Sequence, residues 1–184
     1  SEKNKKIKAL IEELQHISRT DPLTGLANRR QFINSFQENV ARNKREGTAL
    51  SLLFFDIDHF KAINDRHGHH FGDVILTSLA KLLASNSRPY DSLARWGGEE
   101  FLLLLPKVNE NEAFDIGERI RKKARIKFSK EFDIPFSISI GVAQHRNNDS
   151  MDIFIDQADN ALYAAKQTGR NRVIKFSELE KTWL

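Results

Sequence analysis

The chain has 184 residues, 40% of them hydrophobic, with no cysteine and a formal net charge of +4. That is enough for one core of ordinary domain size, and it excludes a disulfide-built scaffold. The mild, scattered positive charge suits an anionic small ligand but not a nucleic-acid surface, because no base-stacking or groove-reading motif accompanies it. No run is apolar enough to span a bilayer and no signal peptide is visible, so the expected location is the cytoplasm, either free or as the cytosolic part of a membrane-bound sensor.

Residues 1–20 stand apart in composition. Ile7, Leu10, Leu14 and Ile17 recur at 3-4 spacing among lysines and glutamates, a pattern that fits either the end of a coiled-coil stalk or a plain amphipathic helix packed on the domain. The chain begins at Ser1 without an initiator methionine, which leads us to expect the output portion of a longer sensor whose input domain lies upstream. The body of the domain is expected over residues 21–178, with a tail at 179–184.

The first strong strand signal is the apolar run Leu50 to Ile57, which closes on Asp56 and Asp58. Carboxylates at the end of a buried strand are costly unless hydrated, paired or bound to a cation, so at least one of the two is expected to hold a metal. A helix follows near His70 to Ser85, its Phe71, Val74, Ile75, Leu79, Leu82 and Leu83 spaced for one face.

Next comes a hairpin, in which Ser92 to Trp96 and Phe101 to Leu105 read as strands around Gly97-Gly98 and a tight turn. Glu99 and Glu100 therefore fall at the beginning of the second strand. A helix from about Asn111 to Lys127, a strand from Pro135 to Val142, a capped turn at Arg146 to Ser150, a helix running past Ala158 and Tyr163 to a stop at Gly169, and a last strand at Arg172 to Phe176 complete the order.

This is a βαββαβ succession with an extra C-terminal helix and strand, which predicts an α+β, ferredoxin-like or palm-type core whose central sheet is antiparallel and flanked by helices. First and third strands become neighbours, so Asp56 and Glu99 are expected to face each other across roughly 5 Å. Two converging carboxylates form a hard oxygen site suited to Mg²⁺ or Mn²⁺ with bound phosphates. Zinc is a poor fit, since His67, His69 and His70 cluster without a tetrahedral partner set.

Taken together these motifs resemble the GGDEF domain, the catalytic domain of bacterial diguanylate cyclases, in its GGEEF form. The resemblance runs through Asp21-Pro22-Leu23-Thr24-Gly25-Leu26-Ala27-Asn28-Arg29-Arg30, Phe55-Asp56-Ile57-Asp58-His59-Phe60-Lys61, Asn64-Asp65, Gly68-His69, Gly72-Asp73 and the hairpin. It continues through Ser139-Ile140-Gly141-Val142-Ala143 and Ala158-Asp159 to Tyr163-Ala164-Ala165-Lys166-Gln167-Thr168-Gly169-Arg170-Asn171.

The resemblance implies condensation of two GTP into cyclic di-GMP with release of two pyrophosphates, in a homodimer whose domains each hold one GTP. It also implies two Mg²⁺ or Mn²⁺ ions per half-site, held by Asp56, the Ile57 carbonyl and Glu99, with Glu99 or Glu100 helping to deprotonate the attacking hydroxyl. Phosphate oxygens would be met by Lys61, Lys166, Arg170 and the backbone N–H groups near His59 and Phe60; on a helix, the four-residue spacing of Lys166 and Arg170 would put both cations on one face.

Asp73 with Asn64 would read guanine, whose N1–H and N2–H₂ donors match an anionic acceptor where adenine offers an acceptor of its own; a helix cap after Gly72 is the plain alternative for Asp73. Arg88-Pro89-Tyr90-Asp91 matches the family's RxxD product-binding inhibitory site, with five residues between Asp91 and Gly97. At about 3.3 Å per strand residue it would lie on the order of 20 Å from the turn. Arg119 resembles the secondary arginine of that site. The rival readings are a catalytically silent module that binds cyclic di-GMP or GTP, and another palm-related nucleotidyl cyclase.

Overall fold

The structure is a computed structural model and describes residues 1–182, with the backbone alone for residues 15–17. Helix α1 (Glu2–Ile17) leads into α2 (Arg29–Glu46), strand β1 (Leu50–Ile57), helices α3 (Phe60–His67) and α4 (His69–Ser85), and the hairpin β2 (Ser92–Gly97) and β3 (Glu100–Pro106). Then follow α5 (Glu110–Phe132), β4 (Ile138–Gln144), α6 (Met151–Gln167), β5 (Val173–Lys175) and α7 (Phe176–Glu180).

The five strands form one sheet in the order β2-β3-β1-β4-β5, antiparallel except for the β4–β5 pair at the edge. This is the expected α+β core with its extra strand.

Every residue of β1 is buried, because helices cover both faces of the sheet. Leu53, Phe55 and Ile57 point to one face and join Phe101, Leu103, Ile138 and Ile140 against α3, α4 and α5. Leu52 and Phe54 point to the other, with Leu102, Leu104 and Ala143 against Phe32 and Phe36 of α2 and Phe154, Ala158 and Leu162 of α6. The two-residue period of a strand then fixes the face of Asp56: it belongs with Leu52 and Phe54, on the side of α6.

Close approach of α6 to the sheet depends on Gly141, where a Cβ would collide with the Ala158 carbonyl and the Leu162 backbone. No side chain fits there, and the helix can settle directly on β4.

Three helices depart from the sequence expectation. Helix α2 emerges from a segment whose buried side is only Phe32, Phe36 and Asn39, a stripe too narrow among charged residues to stand out as periodicity. It is nonetheless well punctuated, with the Asn28 side chain accepting from the Gln31 N–H at its start and Gly47 left-handed at its end. Helix α3 is a two-turn element opened by His59 in a left-handed conformation (φ 57°), and α7 is a single turn and a half after β5.

Helix α1 does not pack its apolar face on the domain: Ile7, Leu10, Ile11 and Leu14 stay between 49% and 62% exposed. The fourth apolar position of the expected stripe, Ile17, has a side chain outside the described residues, as do the last two residues of the expected tail.

Candidate active site

Several of the expected site residues gather at the sheet edge where β1 ends. Asp56 is buried to 5% exposure on the α6 side, and the last turn of α6 brings Lys166 to it, Nζ donating to Asp56 Oδ2 at 2.6 Å. The strand register places Glu100, not Glu99, directly opposite Asp56.

The difference from expectation has a local cause. Gly97 remains in β2 and pairs with Glu100, after a register shift at Trp96, so the two turn residues are Gly98 (φ 41°) and Glu99. Glu99 therefore sits on the turn itself, still near enough for its charge to act on Asp56.

Burial is the main electrostatic influence on the carboxylates here, with neighbouring charges as smaller additions. Burial pushes the Asp56 carboxyl up from its ordinary value; Lys166 opposes this, while Glu99 and Asp58 add to it. Glu100 is raised first by burial, then by Asp56 and Asp159, against a lowering by Lys166. Asp159 on α6 is raised by burial, partly offset by Lys166. Buried or half-buried carboxylates with further negative charge beside them are a setting a cation relieves.

A divalent ion fits this chemistry. Among the described residues no three His, Asp or Glu side chains converge on one point, so the fit is that of a hard ion taking one or two carboxylates and completing its shell with backbone oxygen, water and phosphate, as Mg²⁺ does. Asp56, Glu99 or Glu100, and the carbonyl of Ile57 between the two aspartates are the oxygens on hand.

Asp58 turns out differently from Asp56. Its carboxylate is 4% exposed and accepts from the Ser137 and Ser139 hydroxyls, each at 2.7 Å, and from the Asn171 N–H at 3.0 Å.

Around this edge stand the remaining candidates. His59 is exposed at the α3 N-cap, Phe60 is buried beneath it, and Lys61 is exposed in the first turn of α3. Asn64 on α3 leans against α4 at Gly72, where any Cβ would strike its Oδ1, and that oxygen has no hydrogen-bond partner. Asp73 is exposed within α4, which starts at His69; the helix-cap alternative for Asp73 is thereby removed.

Arg170 corrects the helix-face argument. Helix α6 stops at Gln167, and Arg170 lies beyond it in left-handed backbone (φ 61°), its N–H bonded to the Ala165 carbonyl. Thr168 as C-cap and Gly169 at φ 121° end the helix before the four-residue spacing can place the two cations on one face.

One support was carried by the sequence only as part of the resemblance. Arg95 donates from Nη1 to Asp21 at 3.2 Å and from Nε to the Gly98 carbonyl at 2.9 Å, which ties the 21–28 segment to the glycine turn. Burial pushes the Asp21 carboxyl up, but the Thr24 hydroxyl and N–H and the Arg95 guanidinium bring it below its ordinary value.

The RxxD segment lies at the opposite end of the sheet. Arg88 binds Asp91 at 2.9 Å and the Pro106 carbonyl at 3.0 Å, and its guanidinium stacks 4.4 Å over the Tyr90 ring. The Asp91 side chain is only 2% exposed. Arg119 is exposed on α5, one turn before Lys123, whose Nζ reaches Asn86 at 2.9 Å; the i,i+4 relation sets Arg119 on the same side of α5.

Known proteins share this sequence pattern and this fold. The chain matches the family model described as "Diguanylate cyclase, GGDEF domain" over residues 18–172. It is 44% identical over 169 residues to diguanylate cyclase DgcM of Escherichia coli (strain K12), a match covering 91% of this chain and 40% of DgcM, so the chain spans less than half the length of that relative.

Among solved structures it resembles the coiled coil and GGDEF domain of DgcB from Caulobacter crescentus in complex with c-di-GMP (31% identity, TM-score 0.78, 95% of each chain covered). It also resembles the active GGEEF domain of a diguanylate cyclase from Vibrio cholerae (36% identity, TM-score 0.75, 82% of this chain and 97% of that one). The family match over most of the chain, on a fold that brings its two acidic motifs to one sheet edge, means that this chain belongs to the diguanylate cyclase GGDEF family.

Proposed function

We propose that the chain condenses two GTP into cyclic di-GMP, releasing two pyrophosphates, as a homodimer in which each domain presents one GTP to the other. The observation that carries this reading is the row of Glu100 opposite Asp56 with Lys166 bonded to Asp56, an acidic pair beside a cation at the mouth of a buried strand. Mg²⁺ or Mn²⁺, two per half-site, would be held by Asp56, the Ile57 carbonyl and Glu99, and would supply charge neutralisation on the phosphates.

The protein's own part is to bind, orient and move a proton. Lys61, Lys166, Arg170 and the backbone N–H groups of His59 and Phe60 take the triphosphate; Asn64 and Asp73 take the guanine edge. In each half-reaction a bond forms between the 3′-oxygen and the partner's α-phosphorus while the α–β bridging bond breaks. Pyrophosphate leaves, and the 3′-hydroxyl proton passes to Glu100 or Glu99. Burial, with the Asp56 and Asp159 charges, raises the proton affinity of Glu100 above that of an ordinary carboxylate, the direction that favours a proton acceptor.

The test is to incubate the chain with GTP and Mg²⁺ over a range of protein concentrations and resolve products by chromatography and mass spectrometry. Cyclic di-GMP formed at a rate that rises more than linearly with protein supports the reading. No product, even from an artificially linked dimer stripped of nucleotide, overturns it in favour of a nucleotide-binding module. Product feedback at Arg88, Asp91 and Arg119 belongs to the same proposal.

A further inference from the structure

Asp58 is a buried carboxylate to which the proposed chemistry gives no task. It is 4% exposed, and its partners come from two separate parts of the chain: the Ser137 and Ser139 hydroxyls at the start of β4, and the Asn171 N–H from the loop after α6. Its own N–H donates to the Ser137 carbonyl at 3.0 Å. No cation pairs with it among the described residues.

The loop it holds is under backbone strain. Gly169, Arg170 and Asn171 run through φ values of 121°, 61° and 46°, and two of these are residues with side chains, which enter the left-handed region only when their surroundings insist. Asn171 is gripped from the other side as well, its Oδ1 accepting from Arg121 Nη1 at 2.9 Å, while Arg121 is itself held by two bonds to Glu118. Arg170, at the centre of this loop, is therefore fixed by its neighbour.

The residue after Asp58 opens the other half of the site. His59 is left-handed (φ 57°) and starts α3, so the direction of the 59–60 backbone follows from where Asp58 is anchored. We infer that Asp58 is a positioning residue that locks the two halves of the triphosphate cradle, the 59–60 backbone and the Arg170 loop, into one geometry. This rests on the GTP-binding reading above.

Phosphate and nucleoside binding separate this role from general stability. The affinities to measure are those of 3′-deoxy-GTP, which lacks the attacking hydroxyl, and guanosine, which lacks the phosphates, for the wild type, Asp58→Ala and Asp58→Asn in the presence of Mg²⁺. Asp58→Ala is expected to weaken 3′-deoxy-GTP about tenfold, the scale of one lost charge-assisted hydrogen bond, and to leave guanosine within about twofold. Asp58→Asn, whose amide oxygen can keep the Asn171 N–H, is expected to restore most of the loss.

Should Asp58→Ala fail to fold, the Ser137→Ala, Ser139→Ala double variant removes two of the three donors and keeps the charge, with the same selective loss expected. Equal affinity of the folded variant and the wild type for 3′-deoxy-GTP, or equal losses for both ligands, overturns the inference while leaving the functional reading intact. A wild type that binds neither ligand overturns both.

Discussion

Asp56, Glu100 and Asp159 hold protons more tightly in the folded chain than in the unfolded one, and burial is the first cause in each. The folded state then binds more protons from about pH 4 upward, so by linkage these three groups lower stability as pH rises through that window and stop doing so below it. Asp21 and Glu118, both lowered, contribute the opposite sign, a stability present at neutral pH and lost on acidification.

Glu100→Gln is accordingly expected to melt at a higher temperature than the wild type at pH 7, with the gap closing below about pH 4, as a calorimetric pH series would record. The same variant should lose about 10³-fold in turnover, the usual scale for removing one preorganised polar group from a reacting centre. At Gly72 the expectation is inverted: Gly72→Ala displaces Asn64, so GTP affinity should fall while the thermal midpoint moves little, measured by titration and melting on the same sample.

At the scale of elements, the parts of this fold that were legible are those where apolar residues alone decide. Leu50 to Ile57 and Phe101 to Leu105 announce themselves as buried strands, and the glycines between β2 and β3 announce a turn. What escaped was one residue of register: the shift at Trp96 keeps Gly97 in the strand and moves Glu100, not Glu99, opposite Asp56, and bulges leave no mark in hydrophobic periodicity.

Helix α2 escaped because its anchoring side chains are few, and the position of Arg170 because helix termination by a left-handed turn outweighs four-residue spacing. The helix-to-sheet packing offers a prediction of its own. Gly141→Ala forces a methyl into the α6 backbone and should cost about 3 kcal/mol in urea unfolding, the upper range for overpacking, whereas Asn109→Ala, which opens the capping box of α5, should cost about 1 kcal/mol.

For the whole molecule, the two ends of the sheet carry different duties in the proposed function. One edge gathers Asp56, Glu100 and Lys166; the other closes Arg88 on Asp91 and on the Pro106 carbonyl. A product molecule using this second site must compete with those internal bonds, so Arg88→Ala is expected to abolish feedback inhibition by added cyclic di-GMP while initial rates persist; undiminished inhibition would exclude Arg88 from it. Helix α1 leaves Ile7, Leu10, Ile11 and Leu14 half exposed, a face available to a second copy. Removal of residues 1–17 should lower the rate most at low protein concentration, where association limits activity, and least at high.

The bonds from Lys166 to Asp56 and from Asn171 to Asp58 join residues 110 and 113 positions apart. A chain emerging from the ribosome thus displays its acidic strand long before the basic loop that completes the site exists. Until Asn171 has been synthesised and β5 has settled beside β4, the proposed GTP site would exist only in fragments. On the proposed function, synthesis itself would withhold the cyclase activity until nearly the whole domain has been made.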